Sequence, residues 1–281
     1  MFFGQRIKIL VAPLDWGLGH ATRCIPIVKQ LLARNCHVIL AADGPQKALL
    51  QQEFPGIDFI QLPSYGISYS GKDFLNSIKI AAQVPKILSR IRQENQYLNG
   101  ALVRDKWDAV ISDNRFGLYS TGLHSVFITH QLHIENPFAD WVSKFLSDWN
   151  YQFIERFNEC WVPDLKEEPG IAGALSHPSQ LPHIPIRYIG PLSRFEVLNQ
   201  KTEQFDLLII LSGPEPQRSR FEKILLDQLG SYRGNVVLVR GLPEEKEIPT
   251  AGPNLSIYNH ADAGELNQMI QSSRFVLARS G

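Results

Sequence analysis

The sequence predicts an α/β protein built on parallel sheets with helices on both faces. Short apolar runs, typical of buried parallel strands, alternate along the chain with longer stretches whose apolar residues recur at helical spacing. Glycine, proline or aspartate stands at many of the changes from one kind of element to the other. A polar stretch over 193–204 separates a longer first series of elements from a shorter second one. We therefore expect two α/β domains, 1–192 and 203–281.

The first series opens on an apolar strand over 7–13, and the amphipathic stretch 20–34 that follows predicts a helix. Pro45 stands at the favoured first position of the next helix, directly after Asp43 and Gly44. The Gly/Ser/Tyr-rich stretch 62–71 predicts a long loop. The other predicted elements are strand 37–42, helix 45–53, strand 57–60, a helix over 73–99 interrupted near Pro85, strand 108–113, strand 125–130, helix 137–158 and strand 159–163.

The second series begins after a proline-rich segment, an apolar segment over 186–191 and the polar linker. An apolar strand over 205–211 and an amphipathic helix over 217–229 form its first strand–helix pair. The other predicted elements are strand 235–240, strand 255–258, helix 262–271 and strand 274–278. The last strand runs into Ser280 and Gly281, where a further helix is expected to open. We therefore expect this second domain to be incomplete.

Charge and cysteine usage exclude several classes of protein. The 28 Lys and Arg residues balance 28 Asp and Glu residues, so no overall field draws in nucleic acid or an anionic membrane. Cys24, Cys36 and Cys160 lack the spacing of a metal site and are expected to be reduced thiols of a cytoplasmic protein. No apolar run approaches the roughly 20 residues that a membrane span needs, although peripheral membrane contact stays open.

The most informative stretch is Gly17-Leu18-Gly19-His20, directly after the first strand. Both glycines can adopt a positive φ and let another molecule approach the backbone. The unpaired amides of a first helical turn attract anions, and an imidazole exchanges its proton near neutral pH. The turn therefore suits a substrate that carries a phosphate or a hydroxyl group and must lose a proton. The alternative is that the glycines serve the turn alone and His20 bonds to the backbone.

Polar side chains stand at the ends of further predicted strands. Asp15 follows the first strand, Asp113 ends the fourth, and His130 and Gln131 close the fifth. Because ligands of parallel sheets bind beyond the carboxyl ends of the strands, we expect these side chains to converge with His20. Asp113 is the first candidate to orient the imidazole, as a triad carboxylate does, and Asp15 is the second. The alternatives are a capping or turn role for Asp113 and a structural role for His130.

With these motifs the chain resembles the GT-B glycosyltransferases, and among them the MurG-type N-acetylglucosaminyltransferases. That family has two Rossmann-like domains, and its first domain opens with the strand, glycine-rich turn and histidine that 7–20 match. The segment 189–191 resembles the crossing between the domains. Ser212 and Gly213, with Arg218 nearby, lie where the family contacts the nucleotide diphosphate, and 280–281 resemble the start of its donor-binding loop.

The resemblance implies transfer of a hexose or N-acetylhexosamine from a nucleotide-diphosphate donor, expected to be a UDP-sugar, to a hydroxyl group of a glycan or lipid-linked acceptor. The sequence contains no HExxH motif, no CxxC pair and no Asp-x-Asp motif, so we expect a reaction without a metal or a further cofactor. The resemblance implies an acceptor-binding first domain and a donor-binding second domain. His20 would act as the base with Asp113 as its partner. The implied acceptor-binding residues are Gly17, Gly19, Arg23, His130 and Gln131, with a phosphate expected at Arg23, and the implied donor-binding residues are Ser212, Gly213, Arg218, Ser280 and Gly281.

Two alternatives of different kinds stay open. The pattern Gly-x-Gly-His-x-x-Arg over 17–23 also resembles nucleotide-sugar hydrolases of the same fold, which use water as the acceptor. A non-catalytic nucleotide or glycan binder would share the scaffold but would have no carboxylate within hydrogen-bond reach of His20. Pro214 and Pro216 depart from the glycine-rich turn of many relatives, which weakens the donor-site resemblance.

Overall fold

The structure is a computed structural model that describes residues 6–15, 18–62, 73–135, 140–198, 203–213, 215–242 and 245–278, with the backbone alone at 73–83, 140 and 141. Its contacts divide the chain into two compact units, and the boundary along the chain falls between Ser193 and Arg194. Each unit contains a parallel sheet flanked by helices. These two parallel sheets with their helices confirm the predicted α/β class.

The first unit is a seven-stranded sheet of the described residues, and every strand pair in it is parallel. Its strand order is β3-β2-β1-β4-β5-β6-β7, in which the chain reverses direction across the sheet between β1 and β4. The elements are β1 (Lys8–Pro13), α1 (Leu18–Ala33), β2 (His37–Ala41), α2 (Gly44–Glu53), β3 (Asp58–Ile60), α3 (Asp73–Arg104), β4 (Ala109–Asp113), β5 (His124–Ile128), α4 (Asp140–Ile154), β6 (Glu159–Val162) and β7 (Ile186–Tyr188).

Strand β1 is buried on both faces, which explains its uninterrupted apolar run. Ile9 and Val11 pack in one cluster with residues of α1 and α2. Leu10 and Ala12, which point to the opposite face, pack in a second cluster with Leu98 of α3. Helices therefore cover both faces of the sheet and leave the strand ends as the place where polar groups can gather.

Three boundaries differ from the predictions in ways that affect the site. Helix α1 begins at Leu18, two residues early, so Gly19 lies in its first turn and does not have the expected positive φ. Helix α3 continues through Pro85, whose side chain is exposed. Strand β5 ends at Ile128, so His130 lies in the loop beyond it. Gly17 and most of the predicted loop 62–71 lie outside the described residues.

The second unit is a four-stranded parallel sheet of the described residues with the order β10-β9-β8-β11. Asp262 caps helix α6, because its side chain accepts from the Glu265 amide while Glu265 bonds back to the Asp262 amide. The elements are β8 (Phe205–Ile210), α5 (Gln217–Leu229), β9 (Val236–Val239), β10 (Leu255–Tyr258), α6 (Ala263–Gln271) and β11 (Ser273–Ala278). A search of the described helices finds none with the length and apolarity needed to cross a membrane.

We predict that Gly117→Ala destabilises the first unit, whereas Gly100→Ala does not. A methyl group at Gly117 would lie 2.5 Å from Glu94 Cβ and closer still to the Ile91 carbonyl oxygen, so α3 must move away from the loop after β4. Overpacking of this kind costs about 1–3 kcal/mol. Gly100 lies inside α3 with open space beyond it, and alanine there should stabilise the helix by up to about 1 kcal/mol.

Urea unfolding followed by tryptophan fluorescence measures both effects. The five tryptophans all lie within the first 161 residues, so the signal reports the first unit. Equal unfolding midpoints for the two variants would contradict the close packing of Gly117 against α3.

Candidate active site

The candidate site lies at the carboxyl ends of β1, β4 and β5, beside the first turn of α1. His20 is the third residue of that helix, and Arg23 follows one turn later on the same face. Asp113 is the last residue of β4 and pairs in register with Pro13 of β1 on one side and Ile128 of β5 on the other. The ends of β4 and β5 and the first turns of α1 therefore bring their polar groups to one place, as the sequence predicts for this fold.

The backbone around Asp113 is held on both sides. Its carbonyl oxygen accepts from the Leu14 amide at 2.9 Å. Asn114, the next residue, adopts a φ of +56° and donates its amide to the Ile128 carbonyl oxygen at 3.1 Å. Asparagine tolerates this left-handed conformation better than most residues. The turn stops β4 and aims the Asp113 carboxylate at α1.

The Asp113 carboxylate is fully buried and is bound by three side chains of α1. His20 Nδ1 lies 3.0 Å from Oδ2, and Arg23 Nε lies 2.9 Å from Oδ1 and 3.0 Å from Oδ2. Arg23 Nη2 also donates to Oδ1, which makes the Arg23 contact bidentate. The Cys24 thiol donates from 3.9 Å. Burial, and then the charge of Asp113, raise the pKa of Cys24 well above its usual value, so this thiol stays protonated.

Arg23 also contacts the second histidine of the site. Arg23 Nη1 lies 3.0 Å from His130 Nδ1, and Arg23 Nη2 lies 3.0 Å from His20 Nδ1. Burial lowers the pKa of His130, and the positive charge of Arg23 lowers it further. The guanidinium therefore faces one carboxylate and two imidazoles. Arg23 is predicted from the sequence to hold an acceptor phosphate, and in the structure its guanidinium contacts these protein groups.

A buried ion pair lies beneath the turn and was missed by the sequence analysis. Arg115, two residues after Asp113, donates through Nε to Glu94 Oε1 of α3 at 2.7 Å, and through Nη1 to the Pro13 carbonyl oxygen at 3.3 Å. Both charged side chains are almost completely buried. The pair joins β1, β4 and α3 directly below the site. Arg115 and Glu94 are 21 residues apart in the sequence, so no local pattern predicts that they pair.

Asp164, which follows β6, orders a neighbouring loop. Its carboxylate accepts from the amides of Leu165 and Ile171 at 2.7 Å, from the Ala172 amide at 3.0 Å and from Ser176 Oγ at 2.5 Å. Burial alone would raise the pKa of Asp164, but these hydrogen bonds lower it well below its usual range. A carboxylate with so many protein donors serves the loop and not a substrate.

The remaining predicted residues of the first unit are placed as follows. Gly19 lies in the first turn of α1, and a methyl group built on it would meet no described atom within 4 Å. Gln131 is exposed, and its backbone N–H donates to Thr129 Oγ1 at 3.0 Å. The structure thus brings together His20, Arg23, Asp113 and His130.

The predicted donor residues of the second unit stand after β8. Ser212 and Gly213 are exposed, and Gly213 has a φ of +106°, a conformation that favours glycine. Arg218, which is predicted to contact the diphosphate, has a buried guanidinium that pairs with two carboxylates. It donates to Glu215 Oε1 at 2.6 Å and to Glu222 Oε2 at 2.5 Å. Ser280 and Gly281 lie outside the described residues.

Glu222 extends this ionic network across the second unit. It also accepts from Arg240 Nε at 2.6 Å, and Arg240 in turn donates to Asn259 Oδ1 at 2.6 Å. The chain Arg218–Glu222–Arg240 therefore ties α5 to the ends of β9 and β10. Arg218 acts in this network as a structural cation.

We predict that His130 makes the first unit less stable as the pH falls. Because the pKa of His130 is lower in the folded chain than its usual value of 6.5, the unfolded chain takes up the proton first, so stability decreases as the pH falls below about 6.5. Replacing His130 by Asn removes this titration and keeps an oxygen that can accept from Arg23. His130→Asn should therefore lose less stability than wild type between pH 7.5 and pH 5.5.

The measurement is the urea midpoint by tryptophan fluorescence at the two pH values. His183→Asn, which removes an exposed histidine of the same unit, is the control and should behave as wild type. An equal loss of stability in wild type and His130→Asn would refute the assignment of this titration to His130.

Comparisons with solved structures find the same architecture in glycosyltransferases. The chain is similar to the glycotransferase of kitacinnamycin, with a TM-score of 0.59 and 14% identity over 99% of this chain and 76% of that one. It is also similar to Arabidopsis thaliana UGT89C1 complexed with UDP-L-rhamnose, with a TM-score of 0.58 and 14% identity over 99% of this chain and 75% of that one. For the glycosyltransferase SnogD from Streptomyces nogalater, the TM-score is 0.56 and the identity 13% over 97% of this chain and 76% of that one. No protein-family model and no curated protein matches the sequence. At such identities the likeness shows the fold alone, and that fold is the GT-B fold of glycosyltransferases.

Proposed function

We propose that this protein transfers a sugar from a nucleotide-diphosphate donor to a hydroxyl group of an acceptor. The observation that carries the proposal is the His20–Asp113 pair, with 3.0 Å between Nδ1 and Oδ2, at the carboxyl end of the sheet. A histidine oriented by a buried carboxylate is a recurrent general base. The fold supports the proposal, because the similar solved structures are glycosyltransferases.

The tautomer of His20 follows from its two neighbours. Asp113 Oδ2 and Arg23 Nη2 both lie 3.0 Å from Nδ1, so this nitrogen can either donate to the first or accept from the second. A lone pair on Nδ1 would face a buried carboxylate oxygen and be repelled by it. Arg23 Nη2 already has Asp113 Oδ1 as its acceptor. We therefore assign the proton to Nδ1, which leaves Nε2 as the basic nitrogen. Of the residues that the structure describes, none hydrogen bonds to Nε2.

In the proposed reaction the acceptor oxygen attacks the anomeric carbon of the donor sugar while its proton passes to His20 Nε2. The bond from oxygen to the anomeric carbon forms, and the bond from that carbon to the diphosphate oxygen breaks. The electron pair of the broken bond leaves with the nucleotide diphosphate. The protonated imidazole then carries a positive charge against Asp113, which stabilises it without moving.

The finer assignments are part of the proposal. The first domain, 1–192, binds the acceptor, a glycan or lipid-linked hydroxyl compound, and the second, 203–281, binds the donor. Ser212 and Gly213 contact the diphosphate, and Arg218 holds the turn in place through Glu215. A UDP-sugar is the proposed donor, with metal-independent, MurG-type transfer of a hexose or N-acetylhexosamine. One of the similar structures, that of Arabidopsis thaliana UGT89C1, is a complex with UDP-L-rhamnose, which is in keeping with a UDP-sugar donor.

We predict that His20→Ala lowers kcat by about 100-fold or more, because it removes the base. The assay incubates the full chain with UDP-glucose, UDP-N-acetylglucosamine or GDP-mannose, and measures products by mass spectrometry. The acceptors are 4-methylumbelliferone, a p-nitrophenyl glycoside and a polyprenol-linked sugar. His183→Ala, at an exposed position, is the matched control and should retain wild-type turnover.

Each other outcome of this assay has a defined meaning. Wild-type turnover by His20→Ala would remove His20 from the role of base. Release of free sugar with no acceptor present would identify a hydrolase. Thermal stabilisation by a nucleotide with no product from any pair would identify a binding protein.

We predict that Gly19→Ala raises the KM of a substrate without loss of stability. A methyl group there meets no described atom, and alanine favours the helix by up to about 1 kcal/mol. The same methyl group would hinder a substrate that approaches the first-turn amides of α1. The KM should rise by about tenfold while the urea midpoint stays at or above that of wild type. An unchanged KM would show that no substrate closely approaches Gly19.

A further inference from the structure

One guanidinium joins the two histidines of the site. Arg23 Nη1 lies 3.0 Å from His130 Nδ1, and Arg23 Nη2 lies 3.0 Å from His20 Nδ1. A guanidinium has only N–H donors and keeps its charge throughout the pH range of folded proteins. The contacts of Arg23 therefore restrict where each imidazole can carry its proton.

The contact with Arg23 fixes the tautomer of His130. Because Arg23 Nη1 can only donate, His130 Nδ1 must accept, and the single proton of the neutral ring then lies on Nε2. Burial and the neighbouring positive charge lower the pKa of His130, which keeps the ring neutral at pH 7 and above. His130 is only partly buried. His130 thus presents an N–H donor at Nε2 and has no free basic nitrogen.

His20 has the opposite arrangement. Its Nδ1 donates to Asp113, and its Nε2 accepts. The two rings differ because Asp113 faces His20 at 3.0 Å, whereas the contact of His130 is the guanidinium of Arg23. Arg23 satisfies the remaining lone pairs of Asp113 through Nε and so stays in position between the rings.

We propose that His20 and His130 are held in opposite tautomers, His20 by Asp113 and His130 by Arg23, and that His130 is a second substrate-contacting residue, which donates a hydrogen bond from Nε2. This inference rests on the proposed function of the same site. One nitrogen that accepts and one that donates match hydroxyl groups, which do both. An ammonium group only donates and a phosphate dianion only accepts, so neither matches the pair. The acceptor is therefore a neutral hydroxyl compound at the reacting end, and Arg23 is a positioning residue.

Nitrogen NMR of the imidazoles tests the tautomers without any substrate. Long-range 1H–15N spectra of the full chain, labelled with 15N-histidine at pH 7.5, distinguish protonated from unprotonated ring nitrogens. Spectra of His20→Ala and His130→Asn assign the two rings among the eight histidines. We expect the proton on Nε2 in His130 and on Nδ1 in His20. The same tautomer in both rings, or a proton on Nδ1 of His130, would overturn the proposal.

Arg23→Lys tests the positioning role. A single ammonium group cannot donate to Asp113 and to both rings, so His130 should become a mixture of tautomers while His20 keeps its proton on Nδ1. Arg34→Lys, an exposed change just beyond α1, is the matched control and should leave both rings unchanged. If the His130 signals are the same in wild type and Arg23→Lys, Arg23 does not set the tautomer.

Kinetics of His130→Asn test the substrate contact. Asparagine offers an oxygen to Arg23 near the position of Nδ1, but it has no donor at the position of Nε2. The KM of the hydroxyl acceptor turned over in the transfer assay should rise about tenfold, the effect of one lost hydrogen bond, with little change in kcat. An unchanged KM would refute the contact. If no sugar donor is turned over, the proposed function fails, and the NMR spectra still decide the tautomers.

Discussion

The candidate site depends on the contact between the buried Asp113 carboxylate and Arg23. A carboxylate taken fully out of water is costly unless a cation and further donors replace its hydration. Arg23 supplies that cation through Nε and Nη2, and His20 and Cys24 supply further donors. All four side chains are thereby drawn together, because α1 must lie against the end of β4 for the charge to be satisfied. Removing either partner of such a pair typically costs about 3–5 kcal/mol.

The residues that follow Asp113 hold its contact with Arg23 in place. Asn114 turns the chain sharply after Asp113, and Arg115 then enters the interior to pair with Glu94 and the Pro13 carbonyl oxygen. Two ion pairs thus lie on either side of one left-handed residue, one facing the site and one facing the core. The geometry of Asp113 is a property of the sheet and of α3 as much as of the residue itself.

The arginine near the strand ends has different partners in the two units. In the first, Arg23 faces the Asp113 carboxylate and the imidazole rings of His20 and His130. In the second, Arg218 is closed between Glu215 and Glu222, and Glu222 is shared with Arg240. An arginine three or four residues from a glutamate on one helix commonly pairs with it, which is a local reason for Arg218 to face protein. Ser212 and Gly213, by contrast, lie in an exposed turn.

The sequence by itself determined the α/β class, most element positions and the gathering of His20, Asp113 and His130 at one edge, because strand and helix periodicity are local properties and parallel strands end at a common edge. It also indicated the two series of elements. Only the tertiary structure decided which groups Arg23 contacts, that Gly19 is helical and that Arg115 pairs with Glu94. Long charged side chains have several partners within reach, and the choice among them depends on burial and on residues distant in the chain, which no local pattern encodes.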